Sequence, residues 1–139
     1  MYGYLVSLCR DFVLAEDLMQ DTFVRATRAL AGYQGGSPRA WLFAIARTTF
    51  LDDYRRRTRR STEEIVETPF SDPDVAEQQT ILAVLGSLPE TQRSALVLRD
   101  QLGLSYEDVA GALNKSLPAT KVIIHRARAA FRRAYEQEQ

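Results

Sequence analysis

One cysteine, Cys9, and one histidine, His125, stand in 139 residues. A lone cysteine closes no disulfide within the chain. Together the two cannot supply four Cys and His ligands to zinc, so no metal site is expected. A Ser-His-Asp triad would have to use His125, which lies among the cations Lys121, Arg126 and Arg128 with no carboxylate near it in sequence. The pair Gly35-Gly36 is a loop signal, and neither a P-loop nor a dinucleotide fingerprint is present, so no cofactor is expected. The longest apolar run, Ala40 to Ala46, has seven residues. A membrane span needs about 20, so no membrane contact is expected. The first residues include Arg10 and Asp11 and carry no cleavable signal pattern, which points to a cytoplasmic protein. Alternating β-branched residues are missing and a 3.6-residue apolar period is widespread, so the fold class is all-α.

Net charge is also lacking, but only on average. Residues 1–60 carry ten arginines against six acids, residues 61–80 carry six acids and no cation, and residues 81–139 carry eight cations against six acids. Two basic segments therefore flank an acidic one, and the zero sum hides two candidate phosphate-binding surfaces. The acidic stretch also holds Pro69 and Pro73 and reads as a linker over 61–77. It can be a plain solvated loop, or an acidic strand that occupies a basic channel of a partner.

The first half, 1–60, reads as three helices. Residues 2–12 form a short one around Tyr4, Leu5, Leu8 and Phe12. Residues 15–31 form a second, with Leu18, Thr22, Phe23, Ala26 and Leu30 as its buried stripe. Asp17, Gln20, Asp21 and Arg25 lie opposite, and Glu16 and Asp17 fall in the first turn, where the helix dipole favours anions. Tyr33 to Gly36 breaks the chain. Ser37 caps a third helix with Pro38 at its first position, running to about Arg57. Trp41, Ile45 and Thr49 share one face of it, beside Leu42 and Ala46. Arg55, Arg56, Arg57, Arg59 and Arg60 crowd its end. Capping needs fewer cations than five, so phosphate contact is expected there.

The second half, 78–139, begins with helices over 76–87 and 90–102, separated by Leu88-Pro89. Ser105 then caps a short helix that buries Val109, Ala110 and Leu113, with Asp108 three residues on. Asn114-Lys115-Ser116 turns the chain, and Ser116 caps a last helix. Thr120, Ile124, Ala127 and Phe131 step by four, three and four, forming its inward stripe. Lys121, Val122, His125, Arg126 and Arg128 are left outward, and no acid occurs from Asn114 to Tyr135. A basic amphipathic helix alone could equally meet a membrane surface or an acidic protein. Preceded by a capped helix and a tight turn, it reads as the second helix of a helix-turn-helix.

These residues together resemble one family, the extracytoplasmic-function sigma factors of bacterial RNA polymerase, within the sigma-70 family. The first-half marks are Ala15-Glu16-Asp17-Leu18-Met19-Gln20-Asp21-Thr22-Phe23, Tyr33, Trp41-Leu42, Ile45-Ala46-Arg47, Asp52 and Arg55. The second-half marks are Leu88-Pro89 with Arg93, Leu104 to Ala110, and His125-Arg126-Ala127-Arg128. The resemblance covers nearly the whole chain in order. It implies two small helical domains, sigma region 2 over 1–60 and sigma region 4 over 78–139, and a promoter-specificity subunit without catalysis of its own. It implies that Asp17, Gln20 and Asp21 dock on the clamp helices of the largest subunit of the polymerase core. Tyr33, Trp41 and Thr48 would open and hold the minus-ten strand, with Arg55, Arg56 and Arg59 on its phosphates. Lys121, Val122, His125, Arg126 and Arg128 would meet minus-35 DNA, and an anti-sigma factor is an expected partner. Thr48 stands where the family usually has Asn, and Val122 and Ile123 where Ser and Arg are common. Val122 can touch a thymine methyl but cannot hydrogen-bond a base.

Two other readings of the residues stay open. One is a free-standing helix-turn-helix regulator, which leaves the Asp17-Gln20-Asp21 face unexplained and shows no heptad seam for dimerisation. The other is a small enzyme, for which no clustered catalytic set is visible.

Overall fold

The structure, a computed structural model, describes residues 1–60 and 75–138, and every regular element among them is helical. Helix α1 spans Tyr2–Cys9, α2 Phe12–Ala29, α3 Pro38–Arg60, α4 Val75–Ser87, α5 Glu90–Leu96, α6 Tyr106–Leu113 and α7 Leu117–Glu138. A single 3-10 turn, Leu30–Gly32, follows α2, and a π-helical turn, Val97–Gln101, prolongs α5. Helix α4 begins inside the stretch expected as linker, and 61–74 of that linker lies outside the described residues.

Local chemistry sets most boundaries. Ser37, Ser105 and Ser116 accept hydrogen bonds through Oγ from the backbone N–H groups of Ala40 (3.2 Å), Asp108 (3.1 Å) and Ala119 (3.3 Å), as the sequence predicts. The turn between α6 and α7 places Asn114 at φ 55°, a left-handed conformation asparagine tolerates.

The start of α2 differs from expectation. Helix α1 ends at Cys9, Arg10 turns left-handed at φ 58°, and Asp11 caps α2 by accepting from the N–H groups of Val13 (3.0 Å) and Leu14 (3.1 Å). Glu16 and Asp17 therefore sit beyond the first turn, outside the reach of the dipole argument. Phe12, Phe23 and Leu30, expected as core, are exposed. The buried stripe of α2 is Ala15, Leu18, Thr22 and Ala26. Thr22 satisfies its hydroxyl on the Leu18 carbonyl at 2.7 Å, so a polar group is buried at little cost.

Helix α3 is covered on two sides, by α2 and by α6. Its buried residues are Phe43, Ala46, Thr49 and Phe50, while Trp41 and Ile45 are only partly covered. One hydrophobic core joins the two halves of the chain. Tyr4, Leu5, Phe43 and Ala46 from the first half meet Leu85, Leu98, Val109 and Leu113 from the second. The Tyr4 and Phe43 rings cross edge to face at 5.4 Å, a favoured aromatic geometry.

Candidate polymerase and promoter interfaces

Three surfaces carry the residues singled out in the sequence. The first is the outer face of α2, where Asp17, Gln20 and Asp21 are all exposed. No ion pair among the described residues engages either carboxylate. Val13 and Val24 stand exposed at 70% and 47% on the same face, since positions 13, 17, 20 and 24 step by four, three and four. Solvated carboxylates framed by exposed valines suit a partner that offers cations around apolar contacts. Sequence reasoning missed the valines, because a partly apolar outer face blurs the contrast with a buried one.

The second surface lies along the α2–α3 seam. Tyr33 and Trp41 pack at 5.1 Å between ring centroids, and the Tyr33 hydroxyl donates to the Gly36 carbonyl at 2.6 Å. Gly35 and Gly36 hold φ of 93° and 87° in this loop, where a side chain would be strained. Next to it, Arg25, Ala29, Trp41, Ala44, Ile45 and Thr48 line a shallow cleft of about 280 Å³. Thr48 is exposed and donates to the Ala44 carbonyl at 3.0 Å. Tyr33, Trp41 and Thr48 are thus brought together, with Trp41 serving both packing and surface. Arg25 donates to Asp52 at 2.8 Å, a partner the sequence did not reveal.

At the end of α3, Arg57 pairs closely with Asp53 at 2.8 Å, whereas Arg55 and Arg56 reach Asp52 and Asp53 only at 3.7 and 3.9 Å. Side chains of Arg55 and Arg56 are 64% and 59% exposed. Arg59 is exposed with no ion pair among the described residues. Such loose pairs are worth little and yield readily to a phosphate.

The third surface is α7. Thr120, Ile124 and Ala127 are buried as expected, while Phe131 is only partly so. Lys121, Val122, His125 and Arg126 are exposed on the opposite side. Arg128 is placed elsewhere. Its Nε and Nη2 donate to both Asp100 oxygens at 2.9 and 2.6 Å. These hydrogen bonds hold the Asp100 carboxyl below its usual range and the Arg128 guanidinium above its own. Asp100 lies in the π-helical turn, where Leu102 N–H reaches back five residues to the Val97 carbonyl. Tyr106 also joins this surface: the Arg99 guanidinium lies 4.3 Å and the Lys121 ammonium 5.7 Å from its ring centroid. No cluster of His, Cys, Asp or Glu able to hold a metal occurs among the described residues. No described helix is long and apolar enough to cross a membrane.

Family models match both halves, Sigma-70 region 2 over residues 1–60 and Sigma-70, region 4 over residues 78–131. The RNA polymerase sigma factor YlaC of Bacillus subtilis is 35% identical over 91% of this chain and 80% of its own length. The chain belongs to the extracytoplasmic-function sigma factors of the sigma-70 family. The ECF RNA polymerase sigma factor EcfG of Rhodopseudomonas palustris is 37% identical over 91% of this sigma factor and 74% of that protein. Among solved structures, the sigma factor RpoE of Bartonella quintana, in complex with the anti-sigma factor NepR, superposes with a TM-score of 0.84 at 28% identity. It covers 99% of this chain and 91% of that one. CnrH, in complex with the cytosolic domain of CnrY, superposes with a TM-score of 0.78 at 27% identity over 99% and 81%. This sigma factor is all-α, with a helix-turn-helix in its region 4, and acts in promoter-specific transcription initiation.

Proposed function

We propose that this sigma factor docks on the clamp helices of the polymerase core through Asp17, Gln20 and Asp21, and reads two promoter elements with its two halves. Residues 1–60 engage the minus-ten element, with Tyr33, Trp41 and Thr48 at the opened strand and Arg55, Arg56 and Arg59 on phosphates. Unstacking a base costs a few kcal/mol, which contacts to the extruded base and cations along the strand offset. Residues 78–139 engage the minus-35 element, with α7 in the major groove. Lys121 and His125, four residues apart with Val122 alongside, contact base edges, and Arg126 holds a phosphate. Arg128 is assigned a supporting part: by pairing with Asp100 it fixes α7 against α5.

One observation carries this reading: Lys121, Val122, His125 and Arg126 stand together exposed on the second helix of the helix-turn-helix, opposite its buried stripe. The protein performs no catalytic step itself and works in the cytoplasm. An anti-sigma factor is its expected regulator, supported by the related RpoE structure, which contains the anti-sigma factor NepR. Co-purification with core polymerase tests the reading. Stoichiometric binding to core is expected. Operator binding without any affinity for core would overturn it in favour of a free-standing regulator.

A further inference from the structure

Helix α6 begins at Tyr106, directly after its Ser105 cap, and buries Val109, Ala110, Ala112 and Leu113. Tyr106 itself is only half-buried, at the edge of that core. Helical side chains lean toward the N-terminus, so a large ring at the first position projects off the end of the helix. There it meets cations from two other elements. The Arg99 guanidinium, from the π-helical turn, lies 4.3 Å from the ring centroid, and the Lys121 ammonium, from α7, lies 5.7 Å from it. Both distances fall within the roughly 6 Å reach of a cation–π contact. At the far end of the ring, the hydroxyl accepts a hydrogen bond from Arg128.

The two cations differ in freedom. Arg99 is half-buried, and its Nη1 donates to the Leu104 carbonyl at 2.8 Å. A guanidinium tied in this way stacks flat on an aromatic face, so Arg99 fixes the ring. Lys121 is exposed, and no ion pair among the described residues engages it. A lysine carries its charge on a flexible stem. Left free, it samples many rotamers and loses that entropy when it contacts a base. The ring narrows those rotamers in advance. The placement suits the task, because residues near the start of the second helix of a helix-turn-helix reach base edges. Lys121 stands in the second turn of α7.

We propose that Tyr106 is a positioning residue for minus-35 recognition: its ring, fixed by Arg99, holds the Lys121 ammonium in place for a base edge before DNA arrives. This rests on the assignment of Lys121 to base edges. Tyr106 acts through Lys121 and governs discrimination between sequences, while the phosphate contacts keep general affinity.

A coupling experiment tests this. Lys121→Ala, Tyr106→Leu, Tyr106→Phe and the double variant Tyr106→Leu with Lys121→Ala are titrated as full chains against cognate and scrambled minus-35 duplexes at one fixed salt concentration. Tyr106→Leu keeps an apolar body without a π face. It is expected to lower the cognate-to-scrambled affinity ratio about fivefold, with scrambled affinity within about twofold of wild type. Tyr106→Phe keeps the face and loses only the hydroxyl bond to Arg128, so it should hold the ratio within about twofold. In the Lys121→Ala background the leucine substitution should change the ratio by less than about twofold, because the coupled partner is gone. The chain has two lysines, and exposed Lys115 serves as an internal reference in a proton spectrum. The ε-methylene protons of Lys121, shielded by the ring, are expected upfield of those of Lys115 in wild type and Tyr106→Phe, and to move back in Tyr106→Leu. The proposal is overturned by a Tyr106→Leu chain that keeps the wild-type ratio, that weakens both duplexes equally, or that adds its full loss to that of Lys121→Ala. Coincident lysine resonances in the wild type also overturn it, a result that stands even where the leucine variant fails to fold. A Lys121→Ala chain with an unchanged ratio would instead overturn the base-reading assignment, and the positioning role with it.

Discussion

Glu90→Gln isolates the charge at the centre of the interface between the two halves, where Arg47 donates to both Glu90 oxygens at 2.8 and 2.9 Å. The substitution keeps size and one carbonyl acceptor but removes the negative partner of Arg47. Charge-assisted hydrogen bonds contribute about 1.5–3 kcal/mol, and breaking one side of a buried ion pair costs about 3–5 kcal/mol. The pair keeps 15% and 18% exposure, so solvent softens the loss and about 2–3 kcal/mol is expected. With an unfolding entropy of about 2.1 cal/mol/K per residue, this lowers Tm by about 7–10 °C. Acid titration gives a second signature. Burial pushes the Glu90 carboxyl up, but hydrogen bonds from Arg47 and Ser94 prevail and hold it below its ordinary value of 4.5. A carboxyl lowered in the folded state stabilises fully above its unfolded value, and that contribution is lost as pH falls through the folded value. The Tm gap between wild type and Glu90→Gln should therefore be constant between about pH 6 and 8 and shrink below 4.5. Calorimetry across that range decides. A Tm change under 2 °C, or a gap that does not narrow in acid, would refute the interface energetics.

The remaining expectations concern the three binding surfaces. Gln20→Ala with Asp21→Ala should weaken core binding and leave helicity native, because both side chains are exposed; unchanged affinity removes the docking role. Replacing Arg55, Arg56 and Arg59 with Ala should reduce open-complex formation and flatten its salt dependence by about 0.9 per lost duplex contact, or 0.7 on a single strand; an unaltered slope makes them a solvated helix end. Lys121→Ala or His125→Ala should cost about 1–3 kcal/mol on a cognate minus-35 duplex and relax discrimination. Arg126→Ala should weaken cognate and scrambled duplexes alike, and if the Lys121 and His125 variants also lose affinity equally on both duplexes, these two residues do not read bases.

What was legible in the sequence was local. The caps at Ser37, Ser105 and Ser116 depend on a hydroxyl and an N–H three residues away, and all three bonds form. The outward set of α7 follows from an amphipathic period against one core. Phe12, Phe23 and Leu30 show where periodicity falls short, since an apolar side chain at helical spacing does not say whether a neighbour covers it. Arg128 faces outward by period, yet Asp100, 28 residues earlier, takes it through a π-helical turn that no sequence pattern announces. Docking of the halves was hidden for the same reason. Arg47 and Glu90 are 43 residues apart on separate helices, and no short-range spacing joins them.

Run-off transcription tests the central claim most directly. Core polymerase is given this chain and a linear template with matched minus-35 and minus-ten elements, then templates with either element scrambled. The account predicts a defined transcript that needs the chain and falls sharply when either element is scrambled. A transcript that ignores both elements, or core polymerase that stays silent while binding the chain, would contradict it.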